Sequence, residues 1–165
     1  MLFEQSEPKI AIGGIGGSGT RAVAEFFINS NLFMGYDLNK SNDNLLYTLL
    51  FKHKDILVLP KNLFEQRVKL FYKIMATSQH ISKDEINLLN EVAFQGSKQH
   101  TENWLSERVK SISTSKRVLQ KEWGWKEPNT HIIIDKILEI TPDLKFIYVF
   151  RNGLDMAYSS NQNQL

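Results

Sequence analysis

The chain has 165 residues, a formal net charge of +2 and no cysteine. Its 42% hydrophobic and 23% charged residues exclude a disordered or collagen-like chain. We expect neither a membrane span nor a secretory signal, because no apolar run approaches the roughly 18 residues of a spanning helix. Disulfides and cysteine-bound zinc are excluded, and we expect a cytoplasmic protein. The small net charge argues against nucleic-acid binding, so an anionic ligand must be held by a local arrangement.

The first predicted elements are a short buried strand at residues 9–12, a glycine-rich turn and a helix. Residues 22–28 are apolar at helical spacing, and we expect Val23, Phe26 and Phe27 on one buried face. A second short strand is predicted at residues 32–36, after the helix ends. This order of elements is typical of an α/β fold.

The middle of the chain, residues 44–119, has the apolar periodicity of amphipathic helices. Ser82 and Glu85 have the spacing of a capping box at the start of one of them. A further helix is predicted around Trp104 and Val109. We interpret the apolar stripes as core packing, so this segment is a helical insertion without a functional motif.

The last part of the chain returns to alternating strands and helices. A short strand or turn at residues 123–128 precedes a helix that we expect Asn129 or Thr130 to cap. Residues 144–150 form the strongest predicted strand, an apolar run typical of a buried parallel sheet. The sequence therefore predicts one α/β domain over residues 1–165, with a P-loop-like parallel sheet flanked by helices and a helical insertion in the middle.

The glycine-rich turn predicts a site for an oxyanion. Four glycines lie between Gly14 and Gly19, between the first strand and the first helix. Glycine allows positive φ and a close approach of the backbone to a ligand. The N–H groups that open a helix have no partner within it and lie at the positive end of its dipole. Ser18, Thr20 and Arg21 can add side-chain donors to a phosphate-like group.

The turn alone leaves the nature of the anion open. Gly14 and Gly19 have the spacing of a nucleotide-kinase P-loop, but Thr20 stands where that motif has lysine. Gly14, Gly16 and Gly19 also match a dinucleotide fingerprint, with Asp37 about 20 residues further on. An NAD-type oxidoreductase fragment is therefore an alternative interpretation.

A second motif follows the strongest strand. Arg151 leaves the end of that strand, and Ser159 lies eight residues later on the predicted helix that follows. Two helical turns rise roughly 11 Å, and the intervening turn shortens this distance, so both side chains can reach one phosphate group. Taken alone, Arg151 and Ser159 would be interpreted as ordinary surface residues. Together with the glycine turn, the pair indicates a second binding position for a phosphate group.

Together, the Ser18-Gly19-Thr20 core and the segment from Phe150 to Ser159 resemble the PAPS-dependent sulfotransferase family. The resemblance implies transfer of a sulfuryl group from 3′-phosphoadenosine 5′-phosphosulfate (PAPS) to a hydroxyl or amine acceptor that the sequence does not identify. It implies PAPS as cosubstrate and requires no metal. The residues implied to bind the nucleotide are Gly16, Gly17, Ser18, Gly19, Thr20 and Arg21 at the 5′ end, with Arg151 and Ser159 at the 3′-phosphate.

The resemblance also implies two catalytic residues. Lys126, in Lys126-Glu127-Pro128, matches the lysine of the family's carbohydrate and tyrosyl-protein branches, where it would neutralise charge on the sulfuryl group. In those branches a carboxylate after the first helix takes the acceptor's proton. Asp37, just past Gly35, is the first candidate for this base and Asp43 is the second.

Two features depart from the family pattern. Gly17 stands where the family usually has a lysine or arginine, which leaves a non-catalytic nucleotide-binding remnant as a further alternative. The chain is also shorter than the usual family member, and we expect it to be truncated. An incompletely covered strand at residues 146–150 would then favour self-association.

Overall fold

The computed structural model describes residues 6–96 and 100–158. The protein is mixed α/β, with a three-stranded parallel sheet and flanking helices. In chain order the elements are β1 (Ile10–Gly14), α1 (Thr20–Asn29), α2 (Leu45–Phe51), α3 (Lys61–Ala76), α4 (Lys83–Gly96), α5 (Glu102–Thr114), β2 (Gly124–Lys126), a 3₁₀ turn (Pro128–Ile132), α6 (Ile134–Leu138), β3 (Lys145–Val149) and α7 (Gly153–Ala157).

The chain divides into two compact units. The helical unit contains α2 to α5 within Leu45–Glu122. The sheet unit comprises Pro8–Asn44 and the described residues from Trp123 onward. The predicted helical insertion therefore corresponds to a compact unit of its own.

The sheet has the strand order β2-β1-β3, and β1 pairs in parallel with both neighbours. Its core is built around Ile12, Ala24 and Met34. Partly buried apolar side chains from β1, α1, β3 and the segment after α1 pack against these residues; they include Ile10, Val23, Phe27, Ile28, Leu32, Ile147 and Val149. Burial of α1 on the sheet explains why the helix forms directly after the glycine turn.

The helical unit is held by a buried aromatic cluster on α2 and α3. The rings of Tyr47, Phe51, Phe64 and Phe71 have centroid separations of 4.9 to 6.0 Å. The predicted capping box is confirmed, because the Ser82 N–H donates to Glu85 at 2.7 Å and the Glu85 N–H donates to the Ser82 hydroxyl at 3.2 Å. No helix in the described ranges is both long and apolar enough to cross a membrane.

Three local predictions were wrong. Phe26 is 66% exposed, so the buried face of α1 runs through Ala24, Val23 and Phe27. The predicted strand at residues 32–36 reduces to a single bridge pair between Phe33 and Trp123.

The third error concerns the start of the helix after β2. Neither Asn129 nor Thr130 caps it; the Glu127 carboxylate accepts a hydrogen bond from the Asn129 N–H at 2.7 Å and begins a 3₁₀ turn instead. Thr130 is buried, and its hydroxyl accepts from the Trp125 indole at 3.2 Å. Pro128 at the first position favours such a turn, because proline lacks an N–H and the N–H at this position of a helix has no partner within the helix.

The strand β3 is less covered than its apolar sequence predicts. It pairs with β1 on one side and, within the described residues, forms an edge of the sheet. Ile147 and Val149 pack toward the core, whereas Tyr148 is 44% exposed and Phe150, just beyond the strand, is 79% exposed. Self-association through this strand stays a prediction.

Candidate functional site

The candidate site lies at the carboxyl edge of the sheet. Gly14, the last residue of the central strand, pairs with Val149 at the end of β3. Ile12 pairs with Lys126 at the end of β2. Because all three strands run in the same direction, the glycine turn, the segment around Arg151 and the Lys126 side chain emerge at one edge. Ligands of open parallel α/β sheets bind outside this edge.

Gly14 allows the two motif-bearing strands to approach each other closely. Its φ is 149°, and a Cβ at this position would collide with the carbonyl oxygen of Val149. Only a residue without a side chain fits here. The glycine thus sets the spacing between the end of β1 and the end of β3, from which the turn and Arg151 both depart.

The turn itself has the backbone shape that its glycines predict. Gly17 and Gly19 have φ of 82° and 102°, in the left-handed region. Gly19 is the residue before α1, and no side chain caps that helix. In the first helical turn the Ala22 N–H donates to the Gly19 carbonyl at 3.0 Å, whereas the N–H groups of Thr20 and Arg21 precede the first helical hydrogen bond and face the space in front of the helix. Arg21 is exposed on this first turn.

Ser18 carries a buried hydroxyl without a partner. The residue is 7% exposed, and its Oγ is inaccessible and has no hydrogen-bond partner among the described atoms. Thr20, at the start of α1, is 4% exposed. A buried hydroxyl left unpaired costs about 1–3 kcal/mol. The Ser18 side chain would have to rotate about χ1 to bring this hydroxyl to a ligand oxygen in front of the helix and so remove that cost.

The second motif is partly described. The Arg151 side chain is 48% exposed, and its Nε lies 3.8 Å from the carboxylate of Asp155. Asn152 caps α7 by accepting a hydrogen bond from the Leu154 N–H at 2.9 Å. Ser159, the predicted partner of Arg151, lies outside the described residues.

The two motifs adjoin through one contact that the sequence did not reveal. A Cβ at Gly17 would lie 3.8 Å from the Met156 methyl carbon on α7. The Met156 side chain of α7 therefore lies close to the glycine turn. Met156 has no distinguishing sequence signal, because a methionine on a short helix is usually part of a core.

Lys126 is buried and engaged by a loop that follows α1. It is 2% exposed, and its ammonium donates to the carbonyl of Ser41 at 3.0 Å and to the carboxylate of Asp43. The backbone of the loop is tied to β2 as well, because the Asn44 N–H donates to the Lys126 carbonyl at 2.8 Å. Lys126 thus joins the end of β2 to residues 41–44.

Asp43 is braced by Asn39. The Asn39 amide donates to the second Asp43 oxygen at 2.8 Å, and its own oxygen accepts from the N–H groups of Ser41 and Asp43 at 2.8 and 2.9 Å. The Asn- and Ser-rich sequence of residues 39–44 does predict a turn. Its pairing with a lysine 83 residues later has no local signal.

Asp37, the predicted base, lies on the same loop between α1 and α2, but the described hydrogen bonds of Lys126 go to Ser41 and Asp43. It directly precedes Leu38, which pairs with Asn44 in an antiparallel bridge. The dinucleotide interpretation expected Asp37 at the end of a strand beside β1. Since β1 is flanked by β2 and β3 instead, the topology gives that interpretation no support.

Comparison of the chain with family models, with curated proteins and with solved structures finds no match.

Proposed function

We propose that this protein is a PAPS-dependent sulfotransferase that binds its nucleotide across the carboxyl edge of the sheet and transfers a sulfuryl group to a hydroxyl or amine acceptor. The observation that carries the proposal is the parallel pairing of β1 with β3, in register from Ile10 with Lys145 to Gly14 with Val149. This pairing brings the glycine turn and the Arg151 segment to the same edge. The contact between Gly17 and Met156 supports it further.

The 5′-phosphosulfate is proposed to bind at the glycine turn. The unpaired N–H groups at the start of α1 and the helix dipole attract an anion there. The buried hydroxyl of Ser18, which has no partner among the described atoms, is suited to donate to one of its oxygens. Thr20 and Arg21 complete the set of proposed donors, with the backbone of Gly16, Gly17 and Gly19.

The 3′-phosphate is proposed to bind Arg151, with Ser159 as the predicted second donor. The Arg151 guanidinium is half exposed and has only an exposed, 3.8 Å contact with Asp155, which is weak in water. It can therefore turn to a phosphate and form charge-assisted hydrogen bonds. Holding the nucleotide at both ends would fix the phosphosulfate for in-line attack.

Sulfuryl transfer is expected to proceed through a loose transition state, in which positioning and charge stabilisation supply most of the catalysis. Lys126 and Asp37 are the catalytic residues that the sequence predicts, and both roles stay predictions. The ammonium of Lys126 already donates hydrogen bonds to the Asp43 carboxylate and the Ser41 carbonyl. Any contact of this ammonium with a sulfuryl group would have to coexist with these two bonds or replace one of them. No step in this scheme uses a metal ion.

The direct test is a calorimetric titration with adenosine 3′,5′-bisphosphate, the desulfonated nucleotide, compared with AMP and NAD. We expect binding of the bisphosphate and at least tenfold weaker binding of AMP, because AMP lacks the 3′-phosphate that Arg151 would hold. Equal affinity for AMP, or no binding of the bisphosphate, would contradict the proposal. Binding of NAD alone would favour an oxidoreductase.

A further inference from the structure

The turn after β3 contains the chain's single Asn-Gly pair, Asn152-Gly153. Both residues are exposed, and a Cβ added to Gly153 would meet nothing within 4 Å. Because glycine has no side chain, its backbone nitrogen is open to approach by the side chain of the residue before it. An exposed asparagine in this setting is the kind that loses its amide most readily.

Two hydrogen bonds hold Asn152 at the start of α7. Its side-chain oxygen accepts from the Leu154 N–H at 2.9 Å, and its carbonyl accepts from the Met156 N–H at 3.1 Å. Neither bond uses the side-chain nitrogen, which is the group that leaves in deamidation. A helix as short as α7 has little stability of its own, so its first turn can open and let the Gly153 nitrogen reach the Asn152 side chain.

We propose that Asn152 is a site of spontaneous modification, at which the side-chain amide is lost through a cyclic imide and an isoaspartate is left in the main chain. The Gly153 nitrogen gives its proton to water and bonds to the Cγ of Asn152. The bond from Cγ to the side-chain nitrogen breaks, and this nitrogen takes up a proton from water and leaves as ammonia. Water then adds to one of the two imide carbonyls, so that one C–N bond opens and a carboxylate forms.

The two ways of opening the imide have different consequences. Opening at the former side-chain carbonyl gives aspartate, which caps a helix as well as asparagine does. Opening at the main-chain carbonyl gives isoaspartate, in which the main chain runs through the former side chain and is one carbon longer. The carbonyl that accepts from the Met156 N–H then belongs to a carboxylate outside the main chain, so the first turn of α7 cannot form as before.

The modification changes the proposed nucleotide site, and this part of the inference rests on the proposed function. Asn152 directly follows Arg151, the proposed ligand of the 3′-phosphate, and it precedes the helix that brings Met156 close to Gly17. An additional carbon at this point alters the spacing between the two proposed binding positions. A carboxylate alone has a smaller effect, because Arg151 is half exposed and water and salt screen its charge.

The test incubates the wild type and Gly153→Ala at body temperature and neutral pH and samples them over several weeks. Peptide mass spectrometry measures deamidation at each asparagine, and methylation by a protein isoaspartate methyltransferase measures isoaspartate. Calorimetric titration with adenosine 3′,5′-bisphosphate measures the fraction of molecules that bind. Asn29 is the internal control, because it is exposed and followed by Ser30 but is held in the helix α1.

We expect Asn152 to deamidate at least about tenfold faster than Asn29, and at least about tenfold faster than in Gly153→Ala, where the added methyl group hinders the attack. In the wild type, the fraction of molecules that bind the bisphosphate should fall in step with the isoaspartate content, whereas Gly153→Ala should keep its binding fraction. Freshly prepared Asn152→Asp, which has the charge without the longer main chain, should bind within about threefold of the fresh wild type.

Deamidation of Asn152 that is no faster than that of Asn29, or equally fast in Gly153→Ala, would overturn the modification site. Accumulation of isoaspartate with an unchanged binding fraction would overturn its effect on the nucleotide site. Failure of the fresh wild type to bind the bisphosphate is a different outcome: it contradicts the proposed function, and the mass measurements still decide whether Asn152 is modified.

Discussion

The helices α1 and α4 begin in opposite ways. At α4 the Ser82 hydroxyl and the Glu85 carboxylate satisfy each other's backbone N–H groups, and Lys73 binds the same carboxylate at 2.7 Å. At α1 the preceding residue is Gly19 with φ of 102°, and no side chain caps the helix. The chain itself satisfies the start of α4, whereas no side chain caps the start of α1.

The side-chain caps of α4 stabilise the start of that helix, whereas the uncapped start of α1 is the kind of helix start that is suited to binding an anion. A capping side chain contributes about 1 kcal/mol to stability, and α1 forgoes it. The turn before α1 also contains a buried hydroxyl without a partner among the described atoms, that of Ser18. Sites that bind ligands often lack local stabilisation of this kind, because the stabilising contacts are made by the ligand.

The largest effect is expected from Gly14→Ala, which tests whether the close approach of β1 and β3, at the residue where the turn before α1 begins, is needed for stability. The new Cβ would collide with the Val149 carbonyl oxygen at an unfavourable φ. We expect the free energy of unfolding to fall by about 3 kcal/mol or more. Urea unfolding followed by circular dichroism measures it. Gly153→Ala, where a Cβ meets nothing within 4 Å, is the control and should change stability by less than about 1 kcal/mol.

Arg151→Ala examines the other side of the proposed nucleotide site. We expect it to weaken binding of adenosine 3′,5′-bisphosphate by about 2–3 kcal/mol, roughly 30- to 150-fold, with unfolding nearly unchanged because the side chain is half exposed. Lys145→Ala, an exposed cation at the amino end of the same strand, should leave the affinity within about twofold. Equal losses in both variants would mean that only general charge attraction is measured.

Ser18→Ala and Ser82→Ala compare the two helix starts directly, and we expect stability changes of opposite sign. Ser82→Ala removes a cap and should lower the free energy of unfolding by about 1 kcal/mol. Ser18→Ala removes an unpaired buried hydroxyl and should raise it by about 1 kcal/mol, while weakening bisphosphate binding about fivefold. Thermal unfolding of both variants gives the sign of each stability change, and titration with the bisphosphate measures the change in affinity. A destabilised Ser18→Ala would show that this hydroxyl has a structural role.

The smallest effect is expected from the pH dependence of the α4 start. Burial acts to raise the pKa of Glu85, but hydrogen bonds from Lys73 and Ser82 outweigh it and leave the pKa below its ordinary value of 4.5. The stabilisation is therefore fully present above that value and is lost as the pH falls through the lower, folded-state pKa. Lys73→Met should lose less stability than the wild type between about pH 5 and pH 3. Parallel acid-unfolding curves measure the difference.

The sequence predicted the features that depend on neighbouring residues. The capping box of Ser82 and Glu85 follows from a four-residue pattern, and the glycine turn follows from its position between a strand and a helix. A parallel sheet was expected from the alternation of strands with helices, whereas the direct pairing of β1 with β3, which ends two residues before Arg151, was not. These properties depend on backbone preferences and hydrophobic period, which short segments determine.

Contacts between distant segments could not be predicted in the same way. The partnership of Lys126 with Asp43 joins residues 83 positions apart, and nothing in either segment specifies the other. The exposure of Phe26 depends on which face of α1 the sheet covers, although its spacing fits the buried face. Glu127 caps the 3₁₀ turn that begins at Pro128, which occupies the place where the sequence pattern suggested a helix capped by Asn129 or Thr130.

The tryptophans provide the protein with separate optical reporters. Trp123, just before β2, and Trp125, on β2, are fully buried three residues and one residue before Lys126, while Trp104 lies on α5 in the helical unit. In a Trp104→Phe variant, indole emission comes from the sheet unit alone. A red shift during denaturation then follows the melting of that unit, and a change on adding a nucleotide reports on surroundings immediately beside Lys126.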